Sequence, residues 1–378
     1  MKRTIYFIGI ITMVLLLVAM YWRFFHSTFD ESVTNTDNFF SSDTNTSSPW
    51  VVVAHNLQTP WSIAFLPDNS MLVTERPGTV RRIRGNQMEQ GQIVAEIPGV
   101  HSIGEGGLLG IATHPDFAIN NLIYLYYTHR TIEGSTINRV VRMMFLNDRL
   151  VNEEIVVDDI PGSTNHNGGR IQFGPDGYLY ITTGDAEDTS QAQDIQSLAG
   201  KILRVTDEGE PVPDNPFDNL VYSYGHRNPQ GIAWDSDGRL WATEHGRSGV
   251  FSGMDELNLI REGGNYGWPL IQGDEIEEGM IEPRLHSGPN KTWAPGGAVF
   301  VEEALFFTGL RGRALYKALF AGSNPILTEH YFEDFGRIRD VVMGSDGMLY
   351  IATSNTDGRG QPKELDDRII RIDPSTLE

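Results

Sequence analysis

Ile171-Gln172-Phe173-Gly174-Pro175-Asp176-Gly177-Tyr178-Leu179-Tyr180-Ile181-Thr182-Thr183 reads as one β-hairpin: a short apolar strand, a Gly-Pro-Asp-Gly turn, and an alternating aromatic and aliphatic strand. Proline presets φ at the turn and glycine takes the positive φ that closes it. The pattern returns at 63–74 around Pro67-Asp68-Asn69, at 232–243 around Ser236-Asp237-Gly238 and at 341–353 around Ser345-Asp346-Gly347. A looser copy runs from Ile111 through His114-Pro115-Asp116 to Thr128, and a sixth is placed at 298–310. The turns fall near 68, 116, 176, 237, 302 and 346, spacings of 48, 60, 61, 65 and 44. Such spacing suits four strands per repeat, and no long helical stripe appears. Six sheets arranged radially make an all-β, six-bladed β-propeller the predicted fold, with a β-sandwich or unconnected hairpins as the alternative.

The chain has 378 residues, enough for one large all-β unit or two smaller domains. Its 50 acidic and 29 basic residues give a formal charge of −21, which opposes nucleic acid and anionic lipid surfaces. The absence of cysteine excludes disulfides, thiolate metal sites and thiol nucleophiles. After Lys2 and Arg3, the stretch 4–22 carries no charge and is long enough to span a bilayer. Bulky Tyr21-Trp22 and Phe24-Phe25 stand where a cleaved signal peptide needs small residues. The expectation is therefore a signal anchor over 1–25 in preference to a cleaved signal, a polar flexible linker over 26–49, and the propeller over 50–378, held outside the cytoplasm.

The hairpin registers gather chemistry at one rim. If Gly174 pairs with Gly177, His166 falls opposite Asp185 at the open end of the hairpin. A carboxylate beside an imidazole fixes its tautomer and raises the basicity of the other ring nitrogen, as a general base requires. The next hairpin sets Arg227 opposite Gly246, and Arg337 and Arg339, two apart on a strand, share a face. Converging guanidinium groups in so acidic a protein suggest an anion with several carboxylates. The block Met254-Asp255-Glu256-Leu257-Asn258 and the Gly-rich turn 263–269 add hard oxygen donors of the kind calcium prefers.

These residues make the chain resemble the quinoprotein glucose and aldose sugar dehydrogenases, six-bladed propellers that use pyrroloquinoline quinone (PQQ) and calcium. The resemblance covers 57–374. It is carried by Pro60-Trp61, Gly106-Gly107-Leu108-Leu109-Gly110, His166-Asn167-Gly168-Gly169-Arg170, Gly225-His226-Arg227-Asn228-Pro229-Gln230-Gly231, Glu244-His245-Gly246, Asn265-Tyr266-Gly267-Trp268-Pro269 and Arg337-Ile338-Arg339-Asp340. It implies His166 as the base at the sugar's anomeric hydroxyl, Asp185 as its orienting carboxylate, and Arg227 and Asn228 over the quinone oxygens. Arg337 and Arg339 are implied on the cofactor carboxylates, with Gln193 as an amide contact. The backbone of Gly246 and Arg247 is implied to ligate the cofactor calcium, and Glu256 with the backbone of Tyr266 a structural calcium.

Three positions depart from the pattern. Glu105 stands where it has a glutamine near the quinone, and a carboxylate there repels the cofactor unless protonated or paired. Arg247 replaces a proline, and about four extra residues separate Gly246 from Asp255. Lys291 is the candidate for a lysine aimed at the cofactor. The leading reading is oxidation of aldoses to lactones with electrons passed to an extracytoplasmic acceptor. A non-catalytic propeller binding a glycan or protein partner, and a calcium-dependent lactonase-type hydrolase with His166 activating water, stand beside it.

Overall fold

The computed structural model describes residues 48–85, 90–248, 252–320 and 325–378. The expected anchor and nearly all of the linker lie outside the described residues. What is described forms six four-stranded antiparallel sheets, as expected of a six-bladed propeller. The inner strands are Pro60–Phe65, Leu108–Thr113, Ile171–Phe173, Pro229–Trp234, Pro295–Val301 and Ile338–Met343. Each leads into the second strand of its blade across a turn placed where the repeat predicts.

The turns explain themselves. Gly177, Gly238 and Gly347 sit at φ 80°, 76° and 75°, in the left-handed region that glycine enters without cost. The turn aspartates accept from the amide two residues on, at 3.2 Å for Asp176 to Tyr178 and 3.2 Å for Asp346 to Met348. A tyrosine and an arginine of the same blade hold the second oxygen, with Arg204 at 2.9 Å from Asp176 and Arg371 at 2.8 Å from Asp346. At the opposite end of the second strands, Thr74, Thr128, Thr183, Thr243, Thr308 and Thr353 are all fully buried. Thr74, Thr243 and Thr308 donate to carbonyls of the next blade's inner strand, at Leu109, Gly296 and Arg339. The repeat's terminal threonine thus ties blades together as well as filling a β-branched position.

The sequence-derived register is corrected by one residue in the third blade. Gly174 donates to Tyr178 and not to Gly177, so the loop holds three residues and Ile171 faces Ile181. Inner strands of the other five blades carry an irregularity near their mouth-side end, as between Pro229 and Gly231 and between Ile338 and Asp340. A bulge puts two residues opposite one and re-aims side chains. The closure is a further device: Trp50–Ala54 pairs with Ile369–Ile372, so the first described strand completes the sixth blade. Apolar faces then stack between blades, as where Trp241 of the fourth blade meets Phe300 of the fifth.

Candidate active site

The mouth-side loops enclose a cavity of about 460 Å³, within the roughly 300–1,000 Å³ usual of small-molecule sites. His166, Arg227, His245, Arg337, Arg339 and Arg359 line it, together with Glu105.

His166 reaches the cavity because Gly168 and Gly169, at φ 62° and 107°, kink the chain before the inner strand begins. A Cβ on Gly168 would lie 2.5 Å from the Thr182 carbonyl, so no larger residue fits. The kink also recovers the contact that the register correction threatened: His166 Nδ1 lies 2.7 Å from Asp185 Oδ1. Asp185 is fully buried and receives the Glu187 amide at 2.9 Å on the same oxygen and the Trp268 indole N–H at 2.8 Å on the other. A carboxylate only accepts here, so Nδ1 carries the proton and Nε2 is left as the ring's basic nitrogen.

Arg227 and Asn228 are placed by Glu244, whose Oε1 accepts both their backbone amides, the second at 3.3 Å. Its other oxygen meets His226 Nδ1 at 2.9 Å, and the His226 ring stacks on Tyr266 with centroids 4.7 Å apart. His226 is thus a fully satisfied core histidine. The Arg227 guanidinium lies 5.2 Å from the Trp268 ring and donates to Ser248 at 2.9 Å. Asn228 is fully buried behind the wall and accepts from the Gly168 amide at 2.9 Å, propping the His166 kink. Gln193 is likewise off the cavity wall: it exchanges two hydrogen bonds with Asn265, at 3.0 and 2.9 Å, and donates to the Trp268 carbonyl at 2.7 Å.

Arg337 donates to Asp357 at 2.7 and 3.0 Å, and Arg339 to the Gln230 side chain at 2.5 Å. Burial pulls Arg339 down to about 9 and also lowers Arg227. Arginine keeps its proton in proteins, so the downward push measures a desolvation cost that a bound anion relieves. Among the described residues, the Nε atoms of Arg227, Arg247 and Arg339 are buried without a hydrogen-bond partner. This donor set fits a planar ligand with several carboxylates.

The metal positions read differently. Gly253 donates to the Arg247 carbonyl at 3.3 Å, which occupies one of its two lone pairs. The Gly246 amide is fixed by Asp255 at 2.8 Å, and Asp255 is spent on Thr292, Trp293 and Ala294 as well. Beneath them, burial and then the nearby Glu244 carboxylate push Glu256 upward. Two acids facing each other in a buried pocket that Tyr266 and Gln272 also line suit a hard cation. Among the described residues, no cluster of three or more acidic or histidine side chains has the geometry of a metal site. Lys291 pairs with Glu329 and is absent from the cavity wall.

Glu105 is paired, which answers the concern its charge raises. Arg359 donates to its Oε1 at 2.6 Å and the His166 amide to its Oε2 at 3.2 Å. Burial works against the charge, yet His245 and Arg359 bring the acid down to about 2. Because burial itself pushes His245 down and keeps it neutral, the Arg359 ion pair is the contribution that holds. Sequence reasoning missed Arg359, His245, Gln230 and Asn165. His245 and Gln230 stand inside motifs already quoted, so position next to Glu244 or Asn228 was the available signal; Arg359 sits in a Gly-flanked loop with none.

Residues 57–370 match the family model described as glucose/sorbosone dehydrogenase. The chain is 33% identical over 341 residues to an aldose sugar dehydrogenase of Escherichia coli, covering 81% of this chain and 90% of that one. It is 33% identical over 275 residues to quinoprotein glucose dehydrogenase B of Acinetobacter calcoaceticus, covering 64% and 56%. The solved PQQ-bound aldose sugar dehydrogenase of Streptomyces coelicolor aligns with a TM-score of 0.79 at 40% identity, over 85% of this chain and 96% of that one.

Proposed function

The chain belongs to the glucose/sorbosone dehydrogenase family, and from that premise we propose that it is a PQQ-dependent aldose dehydrogenase that oxidises the anomeric carbon of a sugar to a lactone. The observation that carries the proposal is the shared cavity: His166, backed by Asp185 at 2.7 Å, lines the same space as Arg227, Arg337 and Arg339. A base poised beside guanidinium groups, two of which, Arg227 and Arg339, keep a buried Nε without a partner, matches a reaction that removes a proton from a hydroxyl while an anionic cofactor is held alongside.

In this reading Arg337 and Arg339 would hold the cofactor carboxylates, and Arg227 would supply positive charge on the quinone side. Asn228 and Gln193 act from behind the wall, through the His166 kink and through the Asn265–Trp268 turn. When bound, PQQ supplies the acceptor for the hydride that leaves the anomeric carbon. His166 Nε2 takes the hydroxyl proton, so that loss of proton and hydride together leaves the lactone carbonyl. The Asp185 carboxylate stabilises the imidazolium that forms. Arg227 opposes the negative charge that develops on the acceptor side.

Calcium is assigned to the carbonyls of Gly246 and Arg247 at the cofactor, and to Glu256 with the Tyr266 backbone as a structural site. Residues 50–378 are the catalytic unit, held outside the cytoplasm, with 1–25 a membrane signal anchor and 26–49 a flexible linker, and electrons leave to an extracytoplasmic acceptor. The test is reconstitution with PQQ and calcium: a bound-quinone absorbance that bleaches when an aldose is added supports the proposal. A protein that binds no PQQ at any calcium concentration is a binding propeller or a hydrolase instead.

A further inference from the structure

Three loops from distant parts of the chain meet at the cavity mouth through one guanidinium. Arg359, in the sixth blade, donates to Glu105 Oε1 at 2.6 Å and to Asn165 Oδ1 at 3.1 Å. Glu105 lies between the first and second blades, and its other oxygen receives the His166 amide at 3.2 Å. Its own amide donates to the Thr164 carbonyl at 2.8 Å, an approach so close that a Cβ on the preceding Gly104 would sit 2.1 Å from that oxygen. His166 itself stands at φ 58°, a backbone conformation that a non-glycine residue keeps only where its surroundings impose it. On the far side, the Arg359 amide donates to Asp357 at 2.8 Å, and Asp357 carries Arg337.

We propose that Glu105 and Arg359 are a positioning pair: their ion pair holds the strained His166 backbone over the cavity and ties it, through Asp357, to the anchorage of Arg337. The inference rests on the dehydrogenase reading for what His166 does there. Neither residue is assigned to the reacting atoms. Both oxygens of Glu105 are occupied, and Arg359 reaches the base only through Glu105 and Asn165. The ion pair also explains how this chain tolerates a carboxylate beside a proposed anionic cofactor: the charge is neutralised in place before the ligand arrives. With the Glu105 carboxylate gone, the His166 amide loses its acceptor and the left-handed turn loses its restraint. With Arg359 gone, Glu105 is left as an unpaired charge at the cavity wall.

The experiment uses the full-length chain and the variants Glu105→Ala, Arg359→Ala and their combination, with Arg359→Lys and Glu105→Gln as milder changes and a cooperative melting curve as the control for folding. Hydrogen exchange of the peptide spanning 160–170, measured without cofactor, should speed up several-fold in both alanine variants. With PQQ and calcium present, each should lose roughly ten- to a hundredfold in kcat with little change in KM for the aldose. The double variant should be no worse than the poorer single one, because the two act as a unit. Arg359→Lys should recover part of the loss. Unchanged exchange in both single variants, or kcat losses that multiply, would overturn the pair. A wild type that oxidises no aldose sinks the proposed function and leaves the exchange measurement to decide this inference alone.

Discussion

Trp268 donates its indole N–H to Asp185 at 2.8 Å, so the carboxylate that orients His166 is itself held by a residue of the fourth blade. Trp268→Phe keeps the ring under Arg227 but leaves a buried carboxylate oxygen without its donor. Such a loss costs about 1–3 kcal/mol. The expected outcome is a lower melting temperature and a severalfold fall in kcat at unchanged PQQ affinity. A variant with wild-type turnover and a wild-type melting curve would show that Asp185 needs no second support.

His166→Gln removes the basic nitrogen while keeping a polar side chain in the kink. Turnover should fall by roughly two to four orders of magnitude, with the fold and PQQ binding retained. Stopped-flow bleaching of the bound quinone by an aldose checks this directly, because binding and chemistry are read in the same cuvette. Full aldose oxidation by the variant removes His166 from the mechanism.

Arg337→Ala and Arg339→Ala delete donors to an anionic ligand, and charge-assisted contacts are worth about 1.5–3 kcal/mol each. Each substitution should raise the PQQ dissociation constant by roughly ten- to a hundredfold and affect the saturated enzyme less. The two differ in what is left behind. Arg337→Ala strips Asp357, a buried carboxylate, of its guanidinium partner and two hydrogen bonds, leaving it the Arg359 amide, whereas Arg339→Ala frees the neutral Gln230 amide and the Trp61 ring face. Titration of PQQ into both variants should therefore show the larger accompanying drop in melting temperature for Arg337→Ala.

Most of the fold was legible because the information is local. A turn of Asp with Gly or Asn and its flanking alternation announce a hairpin, and four clear copies with two looser ones at 44–65 residue spacing announce a propeller. The closure by Trp50–Ala54 was not legible, since its partner lies at the other end of the chain and no pattern marks the pairing. Register failed by one at Gly174 because a two-residue and a three-residue loop are both compatible with Gly-Pro-Asp-Gly. The site divides the same way. His166 and Asp185 flank one hairpin and were found by counting, and the Gly168-Gly169 kink preserved their contact. Arg359 comes from another blade and meets Glu105 across 254 residues of sequence, a proximity that only the closed ring creates.

If calcium occupies the pocket beside Glu256, it stabilises the native state by mass action. Prolonged incubation in excess chelator should then lower the melting temperature, and calcium should restore it far better than magnesium, whose tighter octahedral demand suits a mixed carbonyl and carboxylate site poorly. Glu256→Gln should blunt the response by removing the one carboxylate assigned to that site. A melting curve indifferent to chelator would argue against both calcium positions.

Acid titration separates the Glu105 ion pair from a merely tolerated carboxylate. The Arg359 guanidinium holds the acid below the ordinary carboxylate range, so its folded value is depressed. By linkage, such a group contributes stability that is fully present above its unfolded value and is lost as pH falls through its folded value. Wild type should therefore exceed Glu105→Gln in melting temperature near neutrality, and the gap should close as pH falls below about 4.5. Because Glu105 stays ionised throughout the neutral range, the same substitution should change PQQ affinity by an amount that does not vary with pH there. A wild-type advantage that shrinks or reverses as pH rises toward neutrality would mean that Glu105 is protonated in the folded protein. In that event Arg359 cannot be neutralising it, and the charge at the cavity wall would have to be balanced by the ligand alone.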